Sequence, residues 1–382
     1  MEGLKVEDIV RAIDEWAPFH MAESWDNVGL QVGDGRTQVT GVLTTLDVTM
    51  AVIDEAISCG ANVIVAHHPL IFEPLGALVA QSDVGKIVRH LLRNDVALVV
   101  AHTNADQVPG GVSHHFLSRL GITPVGCMKP TSRTPTSTLL FGVYVPSTHL
   151  EAVRTAMSAA GAGLIGDYEG CAFEVEGRGL FTPLPGASPM IGSMGEATTV
   201  AESKIEMVAP RRAVGKIINA VYESHPYEEP AFHVLPMESG RSTWGYGAWG
   251  NLSSPVPLET LLEQWEAVLG TAGIRIAGNT DRTRPVSRVG VCGGSGKFLL
   301  AEASSLNLDL YITADVTYHS FFTSHLEGQG GGTALVDIGH YESEVGFRDL
   351  LRAVLAPIVG LDRVVPSQIH TSPVRGWHRN LK

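Results

Sequence analysis

Only four cysteines occur in the 382 residues, Cys59, Cys127, Cys171 and Cys292, and no two are spaced as CxxC. That argues against a thiolate zinc site and a disulfide framework. Long apolar runs are missing as well, and none reaches the roughly 18 residues that a membrane span needs. The opening MEGLKVEDIV lacks the basic and apolar blocks of a secretory leader, so a cytoplasmic protein with no membrane association is expected. Basic residues are scarce. Lys and Arg number 27 against 40 Asp and Glu, a formal charge of −13, which argues against a nucleic-acid partner. An anionic substrate would need a metal or a local cluster to hold it. A P-loop is lacking too: from Gly290 to Gly296-Lys297 the stretch GVCGGSGKF runs one residue too long, and Phe298 stands where a hydroxyl would hold magnesium. What remains is a glycine-rich turn opening a helix, suited either to holding an oxyanion or to close packing.

The composition that is present, 44% hydrophobic and 18% charged, is that of a globular protein of two or three domains. Val6, Ile9, Val10, Ile13 and Trp16 lay one apolar stripe along a helix over residues 4–16. Strands are predicted at 29–32, 39–47, 62–66 and 96–101, with helices at 49–58 and 85–94 between them. This alternation predicts a parallel or mixed sheet covered by helices. Between Cys127 and Pro236 the pattern changes. Strands at 138–146 and 171–180 and helices at 150–160 and 211–224 predict a small inserted module, with a Gly-, Pro- and Ser-rich excursion at 183–195. After STWGYGAWGNL the alternation resumes, with helices at 258–269, 297–304 and 341–355 and strands at 286–292, 308–313 and 333–338.

Polar clusters fall just past the carboxyl ends of four predicted strands, where open α/β sheets place their chemistry. In ANVIVAHHPLIF the strand ends at His67 and His68, and in AHTNAD at His102 and Asp106. In YITADVTYH it ends at Asp315 and His319, and in GHYESE at His340 and Glu344. The last two are four apart, so at the start of a helix they share a face. His67, His68, Asp106, His340 and Glu344 form a mixed nitrogen and oxygen donor set that suits two divalent ions, zinc, iron or manganese. A pair about 3.5–4 Å apart would activate water and polarise a carbonyl or phosphoryl group. His102, Asp315 and His319 are candidates for proton transfer or for orienting a ligand. His114 and His115 are expected at the surface, Asp26-Asn27 in a turn. In HPYEEPAFHVL, His225, Glu228 and Glu229 either bind a ligand or shape an extended edge between two prolines.

The run WDNVGLQVGD, then HHPLIF, AHTNAD, HPYEEPAF, CGGSGKF, YITADVTYH and GHYESE occur in the order seen in the NIF3-like family, often labelled GTP cyclohydrolase 1 type 2 homologues, and the chain resembles that family over nearly its whole length. The resemblance implies an α/β fold, a NIF3-like core of mixed sheets covered by helices in two parts, 1–127 and 241–382, around an inserted ferredoxin-like module of the CutA/PII kind at 128–240. It implies that His67, His68, Asp106, His340 and Glu344 are the ligands of a dinuclear metal centre, with Glu344 as the bridge. It also implies a toroidal homohexamer, a trimer of dimers, with the metal sites facing an internal cavity. One departure is visible: where relatives have Gly-Arg-Ile-Gly after the insert, this chain has GAWGNL from Gly247.

The activity so implied is hydrolysis of a small molecule, with GTP as the candidate: hydroxide generated at the metals attacks C8 of the guanine ring and formate leaves. Two other classes fit the same donors. One is hydrolysis of a phosphoester or amide, the other a non-enzymatic metal-holding or regulatory ring.

Overall fold

The structure, a computed structural model, describes residues 3–79, 81–131, 138–165, 167–237, 243–270, 273–277, 280–327 and 332–374, with residue 212 and residues 323–327 described by their backbone alone. The chain divides into two compact units, one made of Met1–Thr131 and Thr243–Lys382, the other of Ser132–Ser242.

The first unit begins with α1 (Val6–Trp16), and Val6, Ile9 and Ile13 of the expected stripe are fully buried. Next come β1 (Gly29–Val32), β2 (Val42–Thr45), α2 (Met50–Ser58), β3 (Val63–Ala66), α3 (Asp83–Arg93) and β4 (Ala97–Val100). The helix starts are set by side-chain caps, Thr49 accepting from Val52 N and Ser82 from Gly85 N. Strands β2, β3 and β4 are buried at every position, as parallel strands covered on both faces must be. Then follow α4 (Thr103–Gln107), α5 (Val112–Arg119), β5 (Pro124–Gly126) and β6 (Lys129–Pro130).

The second unit runs β7 (Thr138–Pro146), α6 (Leu150–Ala159), β8 (Ala172–Phe181), β9 (Thr198–Pro210), α7 (Val214–Ser224) and β10 (Phe232–Pro236). Its antiparallel sheet has the order β10-β7-β9-β8. Phe141, Val143 and Val145 alternate along β7, and with Ile205 and Met207 of β9 they pack on Val153 and Met157 of α6 and Ile217 and Val221 of α7. His225 serves this unit's backbone. Its Nε2 lies 2.9 Å from Tyr144 O, and its Nδ1 accepts from Tyr227 N at 3.0 Å.

Back in the first unit, β11 (Gly245–Tyr246) pairs with β6, and β12 (Ala248–Pro257), α8 (Leu258–Leu269), β13 (Arg275–Ile276), β14 (Pro285–Ser295), α9 (Leu300–Ser305), β15 (Leu310–Ala314), α10 (Tyr318–Glu327) and β16 (Ala334–Asp337) build a second sheet. The chain goes on through α11 (His340–Glu344) and α12 (Phe347–Val359) to β17 (Val364–Pro366). The sheet orders are β1-β4-β3-β2-β17 and β13-β16-β15-β14-β12-β5, both mixed, each with a run of parallel strands at its centre. The helix expected at 341–355 is two helices. The first ends with Val345 N donating to Tyr341 O, and the second starts afresh on Gly346 O, which accepts from Asp349 N and Leu350 N. No helix among the described residues is long and apolar enough to cross a membrane.

Candidate metal centre

Strand ends of both sheets of the first unit deliver the polar residues. His67 and His68 follow β3 directly, His102 lies two residues past β4, Asp315 directly follows β15, and His340 opens the helix after β16. Asp106 comes from α4, and Glu344 closes the single turn that His340 begins. His67 and Glu344 are buried, while His68, His102 and Asp106 are partly exposed.

The five predicted ligands converge. His67 Nε2 lies 3.7 Å from Asp106 Oδ1 and 3.7 Å from Glu344 Oε1. Glu344 Oε2 lies 3.1 Å from His68 Nε2 and 3.0 Å from His340 Nε2. Two trios could each hold an ion, His67 with Asp106 and Glu344, and His68 with His340 and Glu344. Glu344 is common to both. A third trio, His67, His68 and His102, is equally compact, so His102 stands among the donors themselves.

The outer nitrogens of these rings are all occupied. His67 Nδ1 meets Ala101 O at 2.9 Å, His68 Nδ1 meets Asp47 Oδ1 at 2.8 Å, His102 Nδ1 meets Asp26 Oδ1 at 2.9 Å and His340 Nδ1 meets Asp315 Oδ2 at 2.7 Å. Acceptors at Nδ1 hold a ring proton there and aim Nε2 inward, the orientation found around metal-bound imidazoles. The Nε2 atoms crowd around one carboxylate and one another. His340 Nε2 and His68 Nε2 are 3.3 Å apart, and His67 Nε2 and Glu344 Oε2 are buried without an aligned hydrogen-bond partner. Buried polar atoms left so are costly, and a cation between them satisfies each. The donor set therefore fits divalent metal.

Charge follows the same geometry. Burial alone would disfavour protonated His68, but Asp47 and Glu344 outweigh it and raise its pKa to about 10. His340 is likewise raised to about 9, burial being overcome by Glu344 and Asp315. Burial would raise Glu344, yet the surrounding imidazoles pull it well below the usual carboxylate range. Asp106 goes the other way, pushed up by burial against the pull of His67. Cys292 lines the same cleft, but burial beside Asp106 and Glu344 pushes its thiol up, so it offers no thiolate.

The glycine-rich turn packs closely and has no backbone N–H to spare at three of its positions. Gly293 N donates to Ser113 Oγ, Gly294 N to Ser343 Oγ and Gly296 N to Thr313 Oγ1. A Cβ on Gly294, whose φ is +60°, would meet Glu344 Oε1. The turn thus forms the wall against which the shared carboxylate rests. His319 is exposed on α10 with its ring beside Tyr318, 5.5 Å between centroids. His114 and His115, expected at the surface, are half-buried on α5, and burial lowers the pKa of both.

Two carboxylates orient these rings, Asp26, expected only as a turn former, and Asp47. Asp26 accepts from His102 Nδ1, Thr103 N and Thr103 Oγ1, which outweigh its burial and bring its pKa down to about 2. Asp47 follows β2 by two residues, the placement of the other clusters, and that signal was available. It joins His68 to the hydroxyl of Thr371. Asp47→Asn is expected to weaken metal retention about 10- to 100-fold, because the amide no longer fixes the His68 tautomer. Competition with a chelator of known affinity measures the loss, and retention equal to wild type would discount the role of Asp47.

The profile of the family described as Duf34/NIF3 (NGG1p interacting factor 3) matches residues 4–373. A Mycobacterium tuberculosis protein named GTP cyclohydrolase 1 type 2 homolog is 38% identical over 346 residues, 90% of this chain and 89% of the relative. A Bacillus subtilis protein of the same name is 35% identical over 339 residues, 89% of each. The crystal structure of a Bacillus cereus protein related to NIF3 superposes with a TM-score of 0.82 at 34% identity, covering 99% of this chain and 100% of the other.

Proposed function

The chain belongs to the Duf34/NIF3 family, and from that premise we propose that it is a dinuclear metal-dependent hydrolase of the GTP cyclohydrolase type, acting on a purine nucleotide or a related metabolite. The observation that carries the reading is the sharing of Glu344 between two compact donor trios. His67 and Asp106 would hold one ion and His68 and His340 the other, with Glu344 between them. When bound, such a pair lowers the pKa of water and polarises a carbonyl, phosphoryl or ring carbon acceptor. Protein groups supply the remaining work. Asp47 and Asp315 fix the His68 and His340 rings, and Asp26 fixes His102. His102 lines both openings of the donor cluster, so its Nε2 is placed to receive and return a proton there. The order of strands and helices in the second unit supports reading it as a ferredoxin-like module of the CutA/PII kind.

Metal-loaded protein incubated with GTP is expected to release formate and consume nucleotide. If GTP survives, a panel of nucleosides, phosphoesters and amides decides the substrate class. Full metal occupancy with no turnover of any panel member would remove the hydrolase claim and leave a metal-holding scaffold.

A further inference from the structure

The donor cluster opens on two sides of unlike character. One cleft, of about 680 Å³, is lined by charged side chains including Arg275, Asp315, Asp337 and Glu342. The other, of about 350 Å³, reaches Asp106, His340 and Glu344 past Trp25, Tyr246 and Phe298. Its described lining residues include no lysine or arginine. A volume near the lower end of the roughly 300–1,000 Å³ of small-molecule sites fits a ligand of nucleoside size or less.

Trp25 is the outermost of these rings and is 57% exposed. An indole usually buries its face, so one left open at a cleft mouth is available to a ligand. Its backbone is fixed all the same. Asp26 N donates to Glu23 O at 2.9 Å, and the Asp26 carboxylate ties the turn to His102 and Thr103. The ring rests against Phe72, 5.8 Å between centroids, and stands edge-on to His102 at 6.2 Å and 75°. Trp25 is therefore braced by two rings and reaches the donors through only one of them.

The polar groups beside it are acceptors more than donors. Glu23 Oε1 accepts from Tyr246 Oη at 2.9 Å, and Tyr246 Oη accepts from Gln107 Nε2 at 3.0 Å. Glu23, the lining carboxylate that stands outside the donor trios, with no lysine or arginine beside it in the lining, favours a ligand that brings N–H edges and a π face. We propose that Trp25 is a stacking platform for a planar heteroaromatic ring bearing N–H donors, and so determines which substrates reach the metal donors. The proposal rests on the metal-dependent reading above.

Guanosine is the probe and ribose the non-aromatic control, each titrated into full-length protein with and without zinc, while zinc content is measured in the same samples. Tryptophan fluorescence is expected to be quenched by guanosine and not by ribose, and that quenching to disappear in Trp25→Ala. Trp25→Ala is expected to weaken guanosine about 5- to 100-fold, the range for removing one base-stacking ring, whereas Trp25→Phe keeps affinity within about threefold. Zinc content should match wild type in both variants. Guanosine affinity unchanged in Trp25→Ala, or ribose binding as well as guanosine, would overturn the platform. Failure of the wild type to take up zinc would overturn the metal reading instead, and the zinc-free titrations then decide the stacking claim separately.

Discussion

Glutamine at position 344 is expected to lower metal content from about two ions per chain to well under one, since a single carboxylate serves both trios. The amide has the same shape but one acceptor oxygen and no charge, so it cannot bridge. The surrounding rings add to the effect. Glu344 joins Asp47 at His68 and Asp315 at His340 in favouring the protonated rings, and without it the inward-facing imidazoles lose the carboxylate they share. Elemental analysis of protein purified without a metal-affinity tag reads the outcome. Retention of both ions by Glu344→Gln would exclude the bridging role. Retention of one would mean that the trios are independent. If the protein is an enzyme, activity must also stay lost when metal is forced back by excess.

Metal affinity is expected to rise steeply with pH between about 6.5 and 9, by up to about 100-fold per unit as two protons are displaced. The sign follows from the pKa values. His68 and His340 titrate at about 10 and 9 instead of 6.5, so both carry a proton at neutral pH when no metal is present. Their Nδ1 protons are held by Asp47 and Asp315, so the proton that an ion must displace is the one on Nε2. The same raised values give the metal-free protein a stability contribution that is complete below pH 6.5 and lost as pH climbs through 9 and 10. Asp26 acts in the opposite direction. Depressed to about 2 from 3.8, it contributes above pH 3.8 and its contribution disappears as pH falls toward 2. Zinc titration by calorimetry in buffers of different ionisation heat counts the protons released. A flat affinity with no proton release would show that the rings are already neutral.

The candidate ligands were legible because each lies at or shortly after a strand's carboxyl end, a place a single sequence marks by an apolar run stopping at polar residues. His340 and Glu344 needed only helical spacing, and they share a face although the helix is one turn long. The residues that orient them were not legible in the same way. Asp26 meets His102 from 76 positions away, and nothing local in WDN separates that aspartate from a turn former. In the second unit, Ile205, Met207 and Ala209 alternate with Lys204 and Glu206, so the second half of β9 carries a strand period. Its first half, TTVAES, is polar and partly exposed, and that diluted the pattern. The break at Gly346 escaped because periodicity runs on across it. Gly346 caps a new helix, and a Cβ there would meet the Arg119 side chain, a tertiary constraint that no window of sequence contains.

The donors sit on both sides of the excursion to the second unit, with His67, His68 and Asp106 before it and His340 and Glu344 far beyond. During synthesis, which delivers N-terminal segments first at about 5–20 residues per second, the early residues emerge and fold long before their partners exist. A nascent chain can present at most the imidazoles of His67, His68 and His102 with the Asp106 carboxylate. On the proposed dinuclear reading, capture of a full complement of ions would be the last act of maturation, and a chain that has failed to close its two sheets on each other would be marked by the metal it does not carry.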